Sequence, residues 1–92
     1  MRLPAFETIG HGRRKWRVEI VVLPLSAFQS TYRETFNEPA RGPLPYAFWR
    51  DTDRKVFIRA DLKPSQQLRK MKHELTHVWV DWLDLAYPDQ ED

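Results

Sequence analysis

The stretch PSQQLRKMKHELTHVWVDWLDLAY, from Pro64 to Tyr87, decides how the rest of the chain is read. Leu68, Met71, Leu75, Val78, Trp79 and Trp82 recur at three- and four-residue steps, the spacing of one face of an α-helix. Pro64 suits a first helical turn, where its missing N–H costs nothing, and Gln66 can fold back on a cap at Lys63. Pro88 stops the helix close to Tyr87. The stripe itself is core, and Met71 within it needs no other role.

Inside this helix lies HELTH, from His73 to His77, on a face beside the apolar stripe. Residues four apart project about 40° apart and about 6 Å along the axis, so both imidazoles can reach one ion. Glu74 stands next to them as the candidate general base for a water that such a metal activates. The chain holds no cysteine, which excludes disulfides, thiolate metal sites and thiol catalysis. With imidazole and carboxylate donors alone, the expected ion is zinc, held by His73 and His77. The plain alternative is a solvent-facing histidine pair among ordinary helix charges.

Working upstream, the period of the pattern changes. Trp16, Val18, Ile20 and Val22 alternate with Arg17, Glu19 and Val21, so a strand ends before Pro24. Ahead of it, Met1 to Gly12 is an irregular lead-in in which Phe6 and Ile9 can pack as a short strand. Phe28, Tyr32 and Phe36 recur every four residues, and Ser26 with Gln29 resembles a capping box, predicting a helix over roughly Ala27 to Asn37. Pro39, Gly42, Pro43 and Pro45 make Glu38 to Pro45 a loop near the site. Tyr46 to Arg50 and Lys55 to Arg59 flank Asp51–Arg54 as an antiparallel hairpin, with Asp51 and Asp53 read as turn residues rather than metal ligands.

The order strand, helix, hairpin, helix predicts an α+β fold. A small, mainly antiparallel sheet packs against a backing helix and the C-terminal HExxH helix as one layer pair. Ninety-two residues suit a single compact domain over residues 1–92, its lead-in and tail mobile or ordered by an interface. The net charge is +2, with basic residues gathered at Arg13, Arg14 and Lys15 and at Lys63, Arg69, Lys70 and Lys72. No nucleic-acid module accompanies them, so they read as a solvated strand edge and helix face, and nucleic acid is not an expected partner. There is no leader-like apolar run and no stretch that spans a bilayer, which makes a cytoplasmic location the default and a membrane partner unexpected.

A third metal ligand is not evident from spacing. Asp81 and Asp84 follow His77 by four and seven residues, but a straight helix carries Asp84 about 10 Å farther along the axis. Both are therefore expected to support the site or face solvent. Glu38, His11, a tail carboxylate among Asp89, Glu91 and Asp92, or a residue of a second copy all stay open. Tyr46 and Tyr87 could hydrogen-bond an oxyanion, although packing explains either, and Trp49 reads as sheet core. A substrate peptide would add to an exposed sheet edge, either Tyr46–Arg50 or Lys55–Arg59.

Through HELTH and the segment KVFIRADL that leads into its helix, the chain resembles the zincin metallopeptidases. Minimal gluzincin-like and ImmA/IrrE-like peptidase domains are the most similar in element order. The resemblance implies that His73 and His77 are zinc ligands, that Glu74 is the catalytic base, and that the substrate is a peptide or protein. It also implies a third ligand from a later helix or loop, and the chain ends soon after His77. The alternative is a catalytically inactive zincin-like binding or assembly module. Val78, Trp79, Val80, Trp82, Leu83, Leu85 and Ala86 occupy more than one helix face, which points to a homodimer or a larger protein partner. N-terminal residues could cover part of that surface.

Overall fold

A computed structural model of the chain describes residues 2–37 and 43–87. Its elements are β1 (Phe6–Ile9), β2 (Trp16–Leu23), α1 (Leu25–Phe36), β3 (Ala47–Arg50), β4 (Lys55–Arg59) and α2 (Pro64–Ala86), with a short 3₁₀ turn at Gly12–Arg14 between β1 and β2. The α+β architecture follows the predicted elements, including the short strand in the lead-in and the hairpin of β3 and β4.

Strand order is β1-β2-β4-β3. The two outer pairings are antiparallel, as predicted, whereas β2 and β4 run parallel from Glu19↔Lys55 to Leu23↔Arg59. The sheet is mixed because α1 returns the chain before β3 and β4 form, which lets β4 run alongside β2. Arg54 O accepts from Glu19 N–H and Leu23 O accepts from Ala60 N–H, closing both ends of the parallel pair.

The single layer pair is corrected to three layers. One face of the sheet contributes Ile9, Trp16, Val18, Ile20, Ala47, Val56 and Ile58 to a core shared with Met71, Val78 and Trp82 of α2. The other face sets Phe48 and Phe57 against Phe28 of α1, with Val21, Leu23 and Tyr32 packed around them. Val56, Phe57 and Ile58 are all buried although they point alternately to opposite faces, as expected of a central strand covered on both sides. No charged or polar residue is buried among the described residues, so both cores are built from apolar and aromatic side chains.

Helix ends differ in part from the sequence pattern. α1 starts at Leu25 with Pro24 as its cap, and the Ser26–Gln29 capping box does not form because Ser26 is already inside the first turn. Phe28 N–H donates to Pro24 O at 2.9 Å, opening the helix two residues early. It closes at Asn37, which takes a left-handed conformation with φ 50°. At the start of α2 the Lys63 N–H donates to Gln66 Oε1 at 3.1 Å. That is half a capping box, since an ammonium group has no lone pair to accept the reciprocal bond.

The lead-in clamps the far end of α2. Trp82 Nε1 donates to Arg14 O at 2.9 Å, and Arg14 Nη1 donates to Ala86 O at 3.0 Å, where the helix leaves carbonyls unpaired. Gly10 has φ 91°, and any Cβ there would overlap the Trp82 indole. Part of the crowded apolar end is thus covered by N-terminal residues, as the sequence allows. Val80, Leu83 and Leu85 stay exposed. Among the described residues, no helix is long and apolar enough to cross a membrane.

Candidate metal centre

Because Met71, Val78 and Trp82 bind α2 to the sheet, every other side chain of the helix has its direction set. His73 and His77 fall on the outer flank and are exposed, while Glu74, one residue on from His73, turns inward and is half-buried. Their potential ligand atoms all lie within 4.8 Å of one another. The described residues therefore bring together the three HELTH residues that spacing singled out.

The two Nε2 atoms are 3.3 Å apart, with ring planes crossed at 83°. Two zinc–nitrogen bonds of about 2.05 Å at a tetrahedral angle span roughly 3.3 Å, so the imidazoles already sit at the separation a shared ion needs. Without an ion the same separation serves an N–H···N bond, one ring donating from Nε2 and the other accepting. The donor set of neutral imidazoles and a carboxylate suits zinc.

Burial pushes the Glu74 carboxyl above the ordinary glutamate value, and nearby His77, His73 and Lys70 oppose that rise. A carboxyl so placed takes up a proton more readily than one in water, a property fitting a proton acceptor and donor.

Lys70, Glu74, His77 and Asp81 follow one another at four-, three- and four-residue steps along one stripe of α2. Lys70 Nζ lies 5.2 Å over the Tyr46 ring, and Asp81 Oδ2 accepts from Trp49 Nε1 at 2.7 Å. Those two contacts hold Lys70 and Asp81 of α2 against Tyr46 and against Trp49 of β3. Among the described residues β3 pairs only with β4 and so forms an edge of the sheet, whereas β4 is paired on both sides. Lys55–Arg59 is thereby removed as an edge for an added peptide, because its backbone groups are already used.

The other sequence candidates are placed as follows. Asp81 is taken by Trp49, and α2 runs unbroken past it, so neither Asp81 nor Asp84 joins the cluster on its own helix. His11 packs edge-on against Trp82, with ring centroids 5.1 Å apart, and is corrected from possible ligand to a contact at the helix end. Glu38, Asp89, Glu91 and Asp92 lie outside the described residues. Tyr46 packs under Arg59 and Lys70, and Tyr87 meets Trp82 edge-on. Asp53 accepts from Arg50 Nε at 2.9 Å and from Nη2 at 2.6 Å, a bidentate pair within the hairpin turn rather than a metal ligand.

Sequence reasoning missed the Trp49–Asp81 hydrogen bond. A signal for it existed: alternation puts Trp49 on the same face as Ala47, toward α2, and a half-buried indole N–H requires an acceptor. The bond ties the edge strand to the helix one turn beyond His77.

Compared with protein-family models, with curated proteins and with solved structures, the chain matches none. What its own residues establish is an α+β fold whose C-terminal helix presents a His73–Glu74–His77 cluster able to hold a metal ion.

Proposed function

We propose that the protein is a zinc-dependent metallopeptidase of zincin type, with His73 and His77 as metal ligands and Glu74 as the catalytic base. The observation that carries this reading is the 3.3 Å separation of the two Nε2 atoms beside a half-buried carboxylate. Bound zinc would polarise a scissile carbonyl and make an adjacent water a better nucleophile. Glu74 takes the proton from that water during attack and passes it to the leaving amine nitrogen. A substrate in extended form lies along β3, its backbone bonding to the free edge while the Trp49–Asp81 link holds that edge against α2.

Zinc stoichiometry and cleavage test the two parts separately. The wild-type chain is expected to retain about one zinc, His73→Ala and His77→Ala to lose it, and Glu74→Gln to keep the metal while losing turnover. Metal retention that is indifferent to both histidines refutes the site. Normal metal with no cleavage of a peptide library above the Glu74→Gln background refutes hydrolysis.

A second reading, a zincin-like binding or assembly module, is favoured by the 51%, 46% and 69% exposure of Val80, Leu83 and Leu85 at one end of α2. A chain that sediments as a monomer at every concentration, with or without zinc, removes a second copy as its partner.

A further inference from the structure

We propose that the third protein ligand comes from a second copy of this chain. Two α2 helices pack antiparallel across their outer faces, and Asp84 of each copy completes the His73–His77 centre of the other. This rests on the metal reading above and concerns how that same centre is filled.

The first observation is a seam. Thr76, Val80 and Leu83 follow at steps of four and three, the spacing of a helix–helix contact, and all three are exposed on the side of α2 away from the sheet. Trp79, 39% exposed, flanks them. Nothing among the described residues covers this seam, because the lead-in clamp reaches only Trp82 and Ala86.

The second observation is charge. Exposed Arg69 and Lys72 lie before the histidines, and exposed Asp84 lies after them. A parallel pair would set each charge level with its own copy, whereas an antiparallel pair brings Arg69, which lies within the seam, toward Asp84 of the other helix; Lys72, about 120° round the helix from Asp84, lies on the opposite flank. Only the second arrangement is electrostatically matched.

The third is register. Pairing Val80 with Thr76 of the second copy brings its Asp84 level with Lys72, next to His73, and within about one helical turn of the midpoint of the histidine pair. His77 and Asp84 are seven residues apart and so lie on the same flank of the seam, and in an antiparallel pair like flanks meet. On its own helix Asp84 is about 10 Å beyond His77 along the axis; from the partner helix it approaches the histidines directly. The β3 side of the centre, where Glu74 points, stays open in this arrangement.

So few apolar residues make a small interface, below the size that holds a stable dimer unaided. Association is therefore zinc-dependent. Zinc titration of the full chain, followed by sedimentation velocity, is expected to convert monomer to dimer with one zinc per chain. Asp84→Asn should weaken zinc binding by at least the roughly 10–100-fold that loss of an outer partner costs a metal site, and should abolish the dimer. Leu83→Lys touches no ligand and should have the same two effects. Mixing His77→Ala with Asp84→Asn chains should restore one tight site per mixed dimer, since the first supplies Asp84 and the second both histidines.

A monomer that binds one zinc per chain, unaffected by Asp84→Asn, overturns the inference while the metal reading stands. A dimer that ignores zinc, with no rescue on mixing, also overturns it. A wild-type chain that takes no zinc brings down the metal reading first and the inference with it.

Discussion

The middle and the end of α2 are built for different purposes. Around Trp82 the helix is locked: the indole is buried, donates to Arg14 O, and stands where a side chain on Gly10 would have to go. About one and a half to two and a half turns earlier, His77 and His73 are exposed and touch each other. The difference teaches that the fold does not depend on its candidate site. A histidine pair in water is free to be filled by a metal or lost by mutation while the apolar stripe behind it keeps the helix in place.

The strongest way to break that contrast is at Trp82. Trp82→Ala should destabilise by about 3–5 kcal/mol, because it leaves a cavity and strands the Arg14 carbonyl. Denaturant melts would show it, and a loss no larger than that of a surface change would contradict the locked end. Gly10→Ala attacks the same contact from the other side, combining backbone strain at φ 91° with displacement of the indole, and should also be clearly destabilising.

A smaller effect is expected between the two regions. Trp49→Phe keeps the ring but leaves Asp81 without its donor, with an expected cost of about 1 kcal/mol. If β3 positions a substrate, the same change should lower peptide turnover more than it lowers zinc binding. Equal loss of both would mean that the bond serves the metal site itself.

Acid titration probes the hairpin. The bidentate hydrogen bond from Arg50, together with its charge, holds the Asp53 carboxyl below its ordinary value of 3.8. The stabilisation is complete above that unfolded-state value and is lost as pH falls through the lower folded-state one. Asp53→Asn should therefore flatten the acid limb of a melting-temperature profile, modestly, because the pair is partly exposed. An unchanged limb would show that the pair does nothing for stability.

The smallest effect is the most informative. His73→Ala and His77→Ala, made without metal, should change stability by no more than about 0.5 kcal/mol. With zinc present the wild type alone should gain in melting temperature. A large loss in the metal-free state would mean that the histidines hold the fold together and would erase the contrast.

Much of this was readable in the chain. Periodicity located both helices and the strand at Trp16, because burial of one helix face or one strand face leaves a mark at every third and fourth, or every second, residue, while aromatic and β-branched runs around turn residues marked the hairpin. HELTH placed two imidazoles and a carboxylate together because four residues is just over one turn, a distance that needs no tertiary information. Where the reading failed, the cause was long-range. Lys55–Arg59 reads as a possible free edge, but its pairing with β2 on one side and β3 on the other joins strands far apart in the chain, which no local pattern records.

By itself, then, the sequence determined the elements, the absence of thiol chemistry and the local geometry of His73, Glu74 and His77. Only the tertiary structure decided that β2 and β4 run parallel, that α1 and α2 take opposite faces, that Asp81 belongs to Trp49, and that β3 is an edge strand held against α2. The physical reason is that helix spacing is a local property of the backbone, while strand neighbours and hydrogen-bond partners are settled by which apolar faces can be buried together.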